Sequence, residues 1–212
     1  TALAINGPSA TRPDWNCLAY GLDLDTGQAY WISNDPRPTE WTAQFFPPSP
    51  SRETIKEFIP RDDTRYMKAP APVADMEGPE VELVRHEEDD ASRTLTLFIQ
   101  SPQGAPIVQL YSEDVVLSGS ILGIDVEGAE RGWGRTIASM PPEGAEVVLR
   151  VPREAPFTLR LIEKSYGLPE LEGLAPRPAH IICEPNTTLD HRRPLRSDHI
   201  FVTRTLEFPT EE

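Results

Sequence analysis

Residue types that do zinc or acid–base chemistry gather in the last quarter of the chain: His180, Glu184, Asp190, His191, Asp198 and His199. No two of these histidines stand at the i, i+4 spacing of a zinc-protease helix. Arg192, Arg193 and Arg196 lie among them, so ion pairing is the expected use of much of the cluster. A second acidic run, His86-Glu87-Glu88-Asp89-Asp90, ends an apolar segment and reads as a solvated hairpin tip. Asp23 and Asp25 alternate before Gly27 as in a calcium loop. The glutamate such a loop needs at its twelfth position is missing, and a tight turn explains the residues present. No serine sits in a Gly-x-Ser-x-Gly elbow, and the stretch 128–134 lacks the lysine and helix of a phosphate loop. Asn186-Thr187-Thr188 matches the glycosylation triplet, a match common by chance. The residues themselves therefore nominate no catalytic group and no metal-ligand set.

Aromatic residues offer binding chemistry instead. Trp133 stands between Gly132 and Gly134 in a polar stretch and is expected to be exposed. Trp31 has strand periodicity, opposite in facing to Tyr30 and Ile32. Exposed rings on a β-sandwich can stack on sugars, so Trp133 and Trp31 are the candidate ligand-binding residues; packing within the core is the competing use. Cys17 and Cys183 sit in apolar, strand-like contexts. Two buried free thiols or one disulfide between an early and a late strand both fit, and neither cysteine has a second at zinc-ligand spacing.

The elements that must position these groups are short. Cys17 to Asp23, a turn through Asp25-Thr26-Gly27, and Gln28 to Ser33 read as a β-hairpin. Thr39 is placed to cap a short helix over 40–45, broken by Pro47, Pro48 and Pro50. A second short helix is expected over 51–59, with Ile55, Phe58 and Ile59 on one side and Pro60 as its stop. Residues 61–80 look like a long excursion or linker. From Val81 the pattern is almost purely β. Strands are predicted at 81–85, 94–100, 107–111, 115–117, 120–126, 135–138, 146–151, 157–163, 180–183 and 200–207, with Ser118-Gly119-Ser120 as a turn. Leu95, Leu97 and Ile99 alternate with Thr94, Thr96 and Phe98, one face buried and the other partly wet. Short strands at this spacing predict an all-β fold, an antiparallel β-sandwich (jelly-roll-like) with one or two short helices in the N-terminal third. Residues 1–16 are a lead-in, and 17–212 form a single sandwich domain with an irregular, proline-rich excursion at 34–80.

Composition narrows the partners. The 212 residues carry 20 basic and 34 acidic groups, a net charge of -14. Duplex nucleic acid and anionic lipid surfaces carry the same sign and are disfavoured as partners. The longest apolar runs, 2–5 and 17–20, fall far short of the ~20 residues of a membrane helix. The segment is expected to be soluble and not itself to insert into a membrane. Twenty-three prolines exclude long helices over most of the chain.

Two stretches add a resemblance. Leu18-Ala-Tyr-Gly-Leu-Asp-Leu-Asp-Thr-Gly-Gln-Ala-Tyr-Trp-Ile-Ser33 is followed by Asp35-Pro36 and by Glu40-Trp41-Thr42-Ala43-Gln44-Phe45-Phe46. Near the end stand Arg177-Pro178-Ala179 and Arg196-Ser197-Asp198, before a last strand from Ile200 to Phe208. Together they resemble the C-terminal soluble domain of membrane-bound zinc aminopeptidases of peptidase family 28, the vacuolar or endoplasmic-reticulum type. That resemblance implies a noncatalytic accessory domain, extracytoplasmic (periplasmic or lumenal), following membrane helices. The family's His-x-Asp motif is absent here, and Glu87-Glu88 directly after His86 lacks the required context. No catalytic residue and no metal ligand carries over, and zinc is expected only in the peptidase domain of the parent polypeptide. The implied partners are that peptidase domain, the membrane helices and peptides. The alternative is a free-standing carbohydrate- or ligand-binding β-sandwich.

Overall fold

A computed structural model describes residues 9, 12–183, 195 and 197–210. They fold as fifteen strands: β1 (Asp14–Asn16), β2 (Ala19–Asp23), β3 (Gln28–Ser33), β4 (Ser51–Glu53), β5 (Tyr66–Ala71), β6 (Glu80–Glu88), β7 (Ser92–Gln100), β8 (Ile107–Ser112), β9 (Val116–Ile121), β10 (Ile124–Ala129), β11 (Trp133–Ile137), β12 (Ala145–Pro152), β13 (Phe157–Tyr166), β14 (Ile181–Cys183) and β15 (His199–Phe208). The fold is all-β, as the strand periodicity predicts. Two units share the chain, Thr1–Leu22, Gln28–Ala74 and Tyr166–Ile200 in the first, and Asp23–Gly27, Asp75–Ser165 and Phe201–Glu212 in the second.

The second unit is the sandwich. Its sheets run β10-β9-β12-β7-β6 and β11-β8-β13-β15. Leu95, Leu97 and Ile99 of β7 point inward with Val147, Leu149 and Val151 of β12, facing Phe157, Leu159 and Leu161 of β13. The register places Leu95 opposite Leu149 and Leu97 opposite Val147, so apolar pairs stack across the ladder. Each fully buried side chain of this kind contributes about 1.5–3 kcal/mol.

One turn lies elsewhere than expected. Ser118 and Gly119 continue β9, opposite Arg150 and Leu149 of β12, and a Cβ at Gly119 would come within 2.4 Å of the Val148 carbonyl oxygen. That glycine permits close strand approach. The chain turns at Leu122 and Gly123, both left-handed, with φ of 52° and 73°.

The first unit contains the sheet run β2-β3-β5-β4 and a parallel pair of β1 with β14. The two predicted helices are corrected here, for no α-helix occurs among the described residues. Thr39 does turn the chain, through its hydroxyl and that of Thr42. Only one 3-10 turn, Thr42–Gln44, follows before Pro47. So short an interval between prolines cannot offset the cost of helix nucleation. Ser51 to Glu53 pair with β5 as an edge strand. Ile55 to Ile59 then close a single turn that buries Ile55 and Phe58. Within the stretch read as an excursion, Tyr66–Ala71 is the strand between β3 and β4.

Candidate functional site

An aromatic-floored concavity lies in the first unit. It is a cleft of about 510 Å³ floored by Trp31, Trp41 and Phe45 and walled by residues 168–176. Trp31 enters from β3, opposite Ala69 of β5, whose small side chain leaves room for the indole. Trp41 and Phe45 flank the 3-10 turn, one at either end. Phe45 packs at 4.6 Å from Trp31 and 5.1 Å from Trp41, ring centroid to centroid. Tyr20 meets the other side of Trp31 edge-on at 5.3 Å.

The wall is tied down at one point. Trp41 Nε1 donates to the Ala175 carbonyl at 2.9 Å, and Ala175 N–H donates to Gln44 Oε1 at 2.8 Å. Leu168 precedes a stretch bracketed by prolines 169 and 176, in which Leu171 and Leu174 line the cleft beside Glu170 and Glu172. Both glutamates are exposed.

An ionic network adjoins the floor. The Arg177 guanidinium lies 4.3 Å from the Trp41 ring. It also donates twice to Asp198, at 2.6 and 2.8 Å. Asp198 Oδ1 accepts the Leu18 N–H at 3.3 Å. Cys17 donates to the Ser197 carbonyl, and the N–H of the same peptide group, on Asp198, donates to Cys183. The two thiols are not joined to each other and lie against opposite ends of one peptide. Burial pushes the Cys183 thiol up from its ordinary pKa, which lowers its reactivity at neutral pH.

The sequence candidates fall as follows. Trp133 is not exposed. It is 0% accessible inside the sandwich core of the second unit, and its Nε1 donates to the Glu127 carbonyl at 3.1 Å. Its flanking glycines signalled a bend in the chain, and the indole, too large to leave in water, turned inward. Trp31 is also buried, at 3%, yet it helps floor the cleft. His180 approaches Glu40 at 3.6 Å and His199 shares a hydrogen bond with Ser197 at 2.9 Å. Asp198 pairs with Arg177, while Glu184, Asp190, His191, Arg192, Arg193, Arg196 and the Asn186 triplet lie outside the described residues.

The remaining acidic motifs are occupied locally. Asp23 accepts from Asp25 N–H and the Thr26 hydroxyl, and Asp25 from Thr205 N–H. Asp89 accepts from the Ala91 and Ser92 N–H groups, the Ser92 hydroxyl and Arg150, which hold its carboxyl well below the usual range. Among the described residues no group of three or more His, Cys, Asp or Glu could hold a metal ion.

One titratable group escaped the sequence reading. Glu163 follows Leu159 and Leu161 on the inward face of β13 and is 2% exposed. Burial pushes its carboxyl up to about 7, against the pull of Ser101 and Arg204, and Oε1 has no hydrogen-bond partner among the described residues. The alternation on β13 was the available signal, since it places position 163 on the same face as the leucines. Residues 168–176, Trp41 and Phe45 were missed because the cleft depends on contacts more than 130 residues apart in sequence.

Compared with protein-family models, with curated proteins and with solved structures, the chain finds no match.

Proposed function

We propose that this chain is a noncatalytic accessory domain of a larger membrane-anchored zinc metallopeptidase, held on the extracytoplasmic side. One observation carries the reading. The two stretches that resemble the C-terminal domain of peptidase family 28 interlock in one unit, where Arg177 covers Trp41 and holds Asp198, which in turn takes the Leu18 N–H. Strings far apart in sequence that lock together this way are a structural unit, and a chance similarity has no reason to choose them. The zinc and the catalytic residues belong to the parent's peptidase domain. This chain's part is to stabilise or orient that domain, or to help present peptide substrate. The test is to read the coding frame upstream of the Thr1 codon. A peptidase domain with His-x-Asp and Glu-Glu motifs, followed by membrane helices, is the expected result. A start codon or signal peptide directly before Thr1 overturns the reading.

A second reading, a free-standing carbohydrate-binding module, draws on a different feature. The outer face of the five-stranded sheet holds a shallow polar depression of about 500 Å³, lined by Thr94, Ser118, Ser120, Asp125 and Arg150. Such a surface offers hydroxyl-binding groups but no stacking ring. Retardation on polysaccharide gels that Arg150→Ala abolishes would favour it. Trp133→Ala tests nothing here, because that ring is internal.

A further inference from the structure

We infer that the cleft of the first unit binds an alkylammonium ligand, a molecule with a free ammonium group on an apolar body. Three properties of the cleft point to that chemistry. Its volume, about 510 Å³, is that of a small-molecule site. Its floor of Trp31, Trp41 and Phe45 and its wall leucines remove an apolar body from water. Its charged lining consists of two carboxylates, Glu170 and Glu172, and none of the described lining residues is basic. An anion is repelled there, a neutral apolar ligand leaves the carboxylates unused, and a cation on an apolar body engages both features.

The molecule already contains one cation on this floor. Arg177 sits over Trp41 at 4.3 Å, where the negative face of the ring attracts it. Its charge is answered by the bidentate contact to Asp198, so it does not set the field in the cleft. The Glu170 and Glu172 side chains are then the groups that meet an incoming ammonium. The clamp of Ala175 between Trp41 and Gln44 fixes one end of the wall before any ligand arrives, which reduces the ordering cost of binding. The assignment rests on the cleft alone and is independent of any tie to a peptidase.

The experiment titrates the chain with L-leucinamide and with N-acetyl-L-leucinamide, which has the same side chain but no charge. Calorimetry and tryptophan fluorescence are read at low and at physiological salt. Leucinamide is expected to bind about tenfold more tightly than its acetylated form, with the difference shrinking as salt rises. Glu170→Gln with Glu172→Gln removes the difference, and thermal unfolding stays unchanged because both side chains are exposed. Leu171→Arg, which adds a cation to the wall, abolishes leucinamide binding. Equal affinity for the two compounds, undiminished binding by the double glutamine variant, or no saturable binding of leucinamide would overturn the proposal.

Discussion

In the second unit, Leu95 and Leu97 lie across from Leu149 and Val147, and the inward positions from Leu95 to Ile99, from Val147 to Val151 and from Phe157 to Leu161 are hydrocarbon, with the buried Arg93 before them on β7 and Glu163 after them on β13. In the first unit, buried aliphatics such as Leu18, Ile32 and Ile55 share the work with rings and charges: Tyr20, Trp31, Phe45 and Trp41 in edge and tilted contact, then Arg177 and Asp198. The contrast has a physical cause. Long strands present a continuous apolar face that any neighbouring strand can cover. The first unit has strands of three to six residues except where β13 and β15 begin or end in it, and its segments must be joined by directional bonds. Directional bonds hold the wall of the aromatic cleft in place. The ligand cleft accordingly belongs to the less regular unit.

The sharpest way to break this contrast is to remove one member of each core. Asp198→Ala leaves the Arg177 guanidinium facing Trp41 without its carboxylate and frees the Leu18 N–H, groups that are mostly buried. The expected loss is roughly 3–4 kcal/mol, since an unpaired buried charge costs more than the pair contributes. Leu149→Ala opens a cavity among Leu95, Val147 and their neighbours and should cost about 3 kcal/mol. Urea unfolding with hydrogen exchange separates the two. The first variant should lose protection in β2 and β3 before β7, the second in β7 and β12. Replacing both partners, as in Arg177→Met with Asp198→Leu, should recover part of the first loss. Recovery to no degree would mean that the network is needed for more than charge balance.

Glu163 is a buried acid at the edge of the hydrocarbon core, and it predicts a pH dependence. Folded, it keeps its proton up to about 7, whereas an ordinary glutamate loses it near 4.5. Between those values the folded chain binds more protons than the unfolded one, so stability falls as pH rises through that window and levels off above it. The full fall is on the order of 3 kcal/mol. Glu163→Gln, which keeps the shape and stays neutral, should flatten the profile and stabilise the protein at pH 8 while changing little at pH 4.5. Thermal unfolding across that range checks it, and a variant that still loses stability from pH 4.5 to 7 would show that another group titrates there.

These exceptions also mark where the sequence stops being readable. Leu95, Leu97 and Ile99 announced their face by alternation alone, and most strands of the second unit lie within a few residues of where periodicity puts them. Gly119 misled because glycine serves both turns and close approaches, and only the Val148 carbonyl distinguishes the two uses. Trp133 misled because flanking glycines say nothing about which way an indole points. The cleft was illegible for a different reason. Trp41 and Ala175 meet through a single hydrogen bond, and no local pattern encodes a partner 134 residues away.

The smallest effect concerns the one turn that departs from its own rules. The β9–β10 hairpin reverses at Leu122-Gly123 with both residues left-handed, the conformation that favours Asn-Gly. A leucine there crowds its Cβ against the carbonyl and costs roughly 1 kcal/mol relative to asparagine. Nor does burial compensate, for Leu122 is 45% exposed and Ile124 beyond it 70%. Leu122→Asn should therefore stabilise the second unit by about 0.5–1 kcal/mol, a shift of a few degrees at most in thermal unfolding. The gain should be confined to that unit and leave leucinamide binding in the first unaltered. A loss of stability would show that the Leu122 side chain packs usefully on Ile121, Val126 and Ile137, with which it lines a shallow apolar depression. In that case the sandwich, too, would owe part of its stability to a contact that its strand periodicity does not announce.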